Sequence, residues 1–190
     1  LEIISRSRDL GLMRAVQQSW MTSDFPFNGL EELKARIHED PMSGLVAICW
    51  DLDYSEGELL INRLNMPKAW SDLVRDTATL RSIEPELGSE NILLSKIHSL
   101  LESIAYTVIK TGEILTVNQA VESRLSLFTT TLMGVSPILN GDELIAMGVP
   151  EGPLIGDILR LLKERKLDGE IIDELDERNF IDSYIKSSLG

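Results

Sequence analysis

Residues 140–171 read NGDELIAMGVPEGPLIGDILRLLKERKLDGEI, and their punctuation governs how the chain is read. Asn140-Gly141 marks a turn, and Asp142–Met147 has room for one helical turn. Gly148 and Pro150 interrupt the chain again. Gly152-Pro153 then opens a helix, because proline is tolerated at the first helical position, where its missing N–H would have no partner. Leu154, Ile155, Ile158, Leu159, Leu161 and Leu162 recur at helical spacing, and Asp168-Gly169 stops the helix after about Lys166. On another face Gly156, Arg160 and Lys163 fall at i, i+4 and i+7. That face has two readings. Gly156 lets a second helix pack closely while the cations are solvated. Alternatively, the glycine admits a phosphate backbone at the helix N-terminus and the two cations hold it.

Outward from this segment the chain reads as mostly helical. Arg6–Trp20 carries Leu10, Met13, Val16 and Trp20 near helical spacing, and Leu30, Leu33 and Ile37 form a second stripe that Pro41 ends. The run Gly44–Trp50 fits a buried helix or a strand equally well. A short helix is expected over Glu56–Leu64. Another follows Pro67, with Trp70, Leu73, Val74, Thr77 and Leu80 inward. Ser89 is the expected N-cap of a long helix reaching Ile109, with a stripe from Leu93 through Ile97, Leu101 and Ile104 to Val108. Thr111-Gly112 is expected to close it, and Thr116 or Asn118 to cap the next helix, which carries Val121, Leu125 and Phe128. Gly134–Pro137 is a break. Asp173–Ser187 is a final helix with Leu175, Phe180, Ile181, Tyr184 and Ile185 as its apolar residues.

The 190 residues, 43% of them hydrophobic and 26% charged, suit one soluble globular domain or two small ones. No apolar run has the roughly 20 residues of a membrane span, and no secretory leader follows Arg6 and Arg8. Cys49 is the single cysteine, so no internal disulfide can form and a reducing, cytoplasmic setting is expected. The start at Leu1 rather than Met suggests a piece of a longer protein. A net charge of −13 argues against a general nucleic-acid binder. The basic residues are nonetheless clustered. Asn62–Ile83 holds Arg63, Lys68, Arg75 and Arg81 against two aspartates, and Arg160–Lys166 holds four cations against Glu164 alone.

The sequence ICWDLDYSEG offers a decoy. Carboxylates at i and i+2, here Asp51 and Asp53, project together from a strand and can share Mg²⁺, as in haloacid-dehalogenase-like phosphatases and nucleotidyltransferases. The first class needs alternating β-strands and the second a glycine-rich loop upstream, and neither is present. Turn or helix-cap roles are expected instead. His38, His98 and Cys49 have no metal-ligand spacing, and no nucleophile elbow, P-loop or dinucleotide fingerprint occurs. The chain therefore holds no recognisable active site.

Asn140-Gly141-Asp142-Glu143-Leu144, Gly148-Val149-Pro150-Glu151-Gly152-Pro153, Gly156, Ile158-Leu159 and Leu167-Asp168-Gly169-Glu170 together resemble the C-terminal portion of bacterial tRNA nucleotidyltransferases. These are the CCA-adding and A-adding enzymes and the related class II poly(A) polymerases. Glu151 stands where that pattern has proline. The match covers Asn140–Ile171 and extends more weakly back to Leu1. The resemblance implies the body and tail of a modular enzyme whose head, absent here, would hold Mg²⁺ and the nucleoside triphosphate. No cofactor is expected in the chain itself. It further implies that these helices hold tRNA or another RNA by shape and phosphate contact.

The expected fold is all-α, an irregular, elongated bundle of about eight to ten helices in two sub-domains. Residues 1–110 would form the body-like region and 111–190 the tail. Candidate RNA contacts are Arg160, Lys163 and Lys166, with Gly152 and Gly156 shaping the backbone and Arg75 and Arg81 as further cations. No membrane partner is expected, and a homo-oligomer is compatible with the sequence. The competing reading is a non-catalytic helical interaction or dimerisation module.

Overall fold

The computed structural model describes residues 30–188, which form ten α-helices and one short 3₁₀ turn and contain no strand. The expected helix over Arg6–Trp20 lies outside the described residues. In order the helices are α1 (Leu30–Glu39), α2 (Met42–Cys49), α3 (Tyr54–Leu64), α4 (Lys68–Leu87), α5 (Leu94–Leu101), α6 (Tyr106–Leu115), α7 (Gln119–Thr130), α8 (Gly141–Ala146), α9 (Pro153–Leu167) and α10 (Glu174–Ser188). The fold is thus all-α, and among the described residues no helix is long and apolar enough to cross a membrane.

Contacts divide the chain into two compact units. The first holds the described residues through Glu90 together with Leu101–Thr129, and the second holds Asn91–Leu100 with Thr130 onward. The chain passes from one unit to the other at 90/91, 100/101 and 129/130. Thr111 and Gly112 mark no break, because both are buried inside α6. A Cβ on Gly112 would come within 2.7 Å of Leu80 on α4 and 3.2 Å of Trp50, so this glycine is what lets α6 lie against α4 and the end of α2.

One open reading is resolved and several expectations are corrected. The run Gly44–Trp50, open between strand and helix, lies in helix α2 with Trp50 as its C-cap, and Val46, Ala47 and Cys49 are in the core. The long helix from Ser89 to Ile109 is two helices. Asp76 on α4 accepts the Ala105 N–H at 2.9 Å and restarts the chain as α6, a tertiary bond that no local pattern records. Ser89 caps nothing, since its hydroxyl donates to the Glu86 carbonyl, and Leu93 is exposed. Trp70, expected inward, is likewise exposed, at 44%.

In the second unit Leu144, Val149, Ile158, Leu162, Ile171 and Ile181 are buried together, with Leu139 beside them. Of the stripe expected for α9, Ile158 and Leu162 are in this core and Leu154, Ile155 and Leu159 pack against it, beside residues of α8 and α10. The glycine-rich stretch supplies its corners. Asn140 and Glu143 form a capping box on α8. Gly148, with φ of 102°, ends that helix, with the Val149 N–H donating to the Leu144 carbonyl at 3.0 Å. Gly152, with φ of 136° and ψ of −162°, leads into Pro153 in a region open essentially to glycine alone.

Candidate nucleic-acid interface

The candidate site is the outward face of α9. Helical spacing sets Arg160 one turn and Lys163 two turns beyond Gly156. A Cβ built on Gly156 would meet nothing within 4 Å, so the space over the first turn of α9 is open. The helix-packing explanation of this glycine is therefore excluded among the described residues, whereas the same explanation holds for Gly112. No acidic residue lies in the first turn of α9, where Pro153 has no N–H and the Ile155 N–H donates to the Gly152 carbonyl at 3.2 Å.

Arg160 is 71% exposed and pairs with Asp157 at 3.2 Å. A pair so exposed contributes at most about 1 kcal/mol, so a phosphate can take the guanidinium from it. Lys163 is half-buried on the same side, and among the described residues it has no ion-pair partner. Lys166 is placed otherwise. Its side chain is 21% exposed and its Nζ lies 3.4 Å from Glu177, whose carboxylate is wholly buried. The same carboxylate accepts the N–H of Ile138 at 2.9 Å and that of Leu139 at 2.8 Å, and so ties the approach to α8 onto α10. Arg165, also on α9, stacks over the Phe180 ring at 4.7 Å and reaches Glu170 at 2.6 Å.

The two weaker cations of the first unit are engaged in ion pairs. Arg75 holds Glu58 through two hydrogen bonds, of 2.6 and 3.2 Å. That contact keeps the Glu58 carboxyl below its ordinary range and the Arg75 guanidinium above its own. Arg81 lies over the Trp50 ring at 5.1 Å and pairs with Glu84. Of the seven sequence candidates, Gly152, Gly156, Arg160 and Lys163 thus share α9 and its entry and face outward or partly so. Lys166, Arg75 and Arg81 hold carboxylates less exposed than the Asp157 that Arg160 pairs with.

The chain matches no family model, no curated protein and no solved structure.

Sequence reasoning missed the most enclosed polar group of the second unit, Glu177. It sits in the acidic run Asp168–Asp182, and nothing in its local pattern separates it from its exposed neighbours. Only its position four residues before Ile181, on the buried stripe of α10, could have flagged it. Asp53, the decoy metal ligand, is the N-cap of α3. It accepts the Glu56 N–H at 2.8 Å, and with Ser55 also bonded its carboxyl is held below the ordinary range. With helices on both sides and no strand among the described residues, the phosphatase reading falls.

Proposed function

We propose that this chain is the helical C-terminal portion of a tRNA nucleotidyltransferase or poly(A) polymerase family protein. It holds tRNA or a related RNA while a catalytic head outside these residues, with its Mg²⁺ and nucleoside triphosphate, adds nucleotides. The observation that carries this reading is the open space over Gly156, with Arg160 and Lys163 following on the same face of α9. The ordered motifs of 140–171 support it. An RNA strand laid over Gly156 meets open helix surface first and then the two cations. The net charge of −13 confines such contact to this strip and makes it weak and salt-sensitive. A buried, reduced Cys49 fits a cytoplasmic setting.

Gly156→Val tests the reading directly. The branched side chain enters open space in the fold and obstructs a backbone approaching α9. Loss of tRNA binding with an unchanged helical spectrum supports the reading, and unchanged binding refutes it.

A second reading, a helical protein-interaction module, is favoured by Ile172 and Leu175, exposed at 78% and 65% within the acidic segment. A stable dimer in solution without RNA affinity would select it.

A further inference from the structure

Two separate demands place glycine directly after asparagine at the start of α8. The first is capping. Oδ1 of Asn140 accepts the N–H groups of Asp142 and Glu143 at 3.0 and 3.1 Å, and Glu143 Oε2 accepts the Asn140 N–H at 2.9 Å. The second is space. A Cβ on Gly141 would lie 3.3 Å from Cγ2 of Ile155, which packs against the core of the second unit. A residue with a short polar acceptor is therefore followed by one whose lack of a side chain avoids a tight contact with Ile155. That pair is chemically labile, because nothing shields the glycine nitrogen from the neighbouring side-chain amide. Asn140 is also exposed, so water reaches it.

We propose that Asn140 is a site of spontaneous deamidation that the capping box of α8 holds closed in the folded protein. In the reaction the Gly141 nitrogen gives up its proton and bonds to Cγ of Asn140. The bond from Cγ to the side-chain nitrogen breaks and ammonia leaves, giving a five-membered succinimide. Water then opens the ring at either carbonyl, to aspartate or to isoaspartate. One water is consumed, one ammonia is released, and nothing is oxidised or reduced. In the fold, Cγ cannot swing toward the Gly141 nitrogen until Oδ1 gives up both helix amides, so reaction requires α8 to open locally. The products differ in consequence. Aspartate keeps a cap acceptor but sets a second carboxylate beside Glu143. Isoaspartate adds a methylene to the main chain and withdraws the cap, which loosens the anchor of the fully buried Leu144.

The test incubates the full chain in mildly alkaline buffer, folded and in guanidinium, and maps peptides by mass spectrometry. Asn28, which also precedes a glycine, serves as the chemical reference in denaturant. Unfolded, Asn140 and Asn28 convert at comparable rates. Folded, Asn140 converts at least about tenfold more slowly than it does unfolded. Glu143→Ala, which removes half of the box, raises the folded-state rate about fivefold without changing the unfolded one, and Glu143→Gln restores protection. Equal folded and unfolded rates at Asn140 in the unmodified protein overturn the proposal whether or not the variants fold. A folded Glu143→Ala protein that converts no faster also overturns it.

Discussion

Nζ of Lys166 lies 3.4 Å from Oε1 of Glu177, a carboxylate with no exposed surface whose oxygens also take the main-chain N–H groups of Ile138 and Leu139. A lone buried charge would be strongly destabilising, and here three donors from two other segments offset its lost hydration. Removing the carboxylate strands those donors together. Glu177→Ala is therefore expected to destabilise the protein by about 3–5 kcal/mol in denaturant unfolding followed by helical ellipticity. Glu177→Gln, which keeps an acceptor, costs less. Equal stability of Glu177→Ala and the parent protein would show that the buried site is not formed.

Gly152 and Gly156 stand four residues apart and should respond oppositely to alanine. Gly152 has φ of 136°, where a Cβ is strained, so Gly152→Ala costs about 1–3 kcal/mol. Gly156 has helical backbone and open space, so Gly156→Ala raises stability by about 0.5–1 kcal/mol. Thermal or urea midpoints of the two variants check the sign of each.

Burial pushes the Cys49 thiol up to about 12, so it stays protonated and out of reach at mildly alkaline pH. A thiol-specific disulfide reagent should label it only after unfolding, in a single step that follows the loss of helix. Rapid labelling of the folded protein would contradict its placement in the core.

Asp53 titrates below its ordinary 3.8 because it accepts the Glu56 amide and, secondly, the Ser55 hydroxyl. A depressed carboxylate contributes stability above the unfolded pKa and loses it as pH falls through the folded one. Asp53→Asn keeps the cap acceptor and removes the titration. The stability difference between parent and variant should therefore be constant near neutrality and shift in the variant's favour as pH drops below the ordinary value. A difference independent of pH down to strongly acid conditions would refute the cap.

The all-α class was legible because the apolar stripes of α1, α4, α7 and α9 run at helical spacing and because Asn118, Asn140, Pro153 and Gly148 act locally. Asn118, for example, accepts the Ala120 N–H at 3.0 Å, as a cap should. The break before α6 was not legible, since it depends on Asp76 reaching Ala105 from another helix. Thr111-Gly112 misled for a related reason. Glycine ends helices when its backbone turns left-handed, but at Gly112 it serves close packing against Leu80, a distinction made only by the tertiary neighbour. At the candidate interface the spacing of Gly156, Arg160 and Lys163 was readable. The role of Lys166 was not, because its partner Glu177 enters from α10.

Whether the outward face of α9 holds an RNA backbone is decided by fluorescence anisotropy. Labelled tRNA is titrated with the unmodified chain and with the Arg160→Glu/Lys163→Glu variant over a series of low salt concentrations. The unmodified chain should bind, and its binding should weaken steeply with salt. The variant should bind much more weakly, with a salt slope smaller by roughly one for each phosphate it no longer holds. Absence of binding at the lowest salt, or equal affinity and slope for the two proteins, would contradict an RNA-holding role for this face.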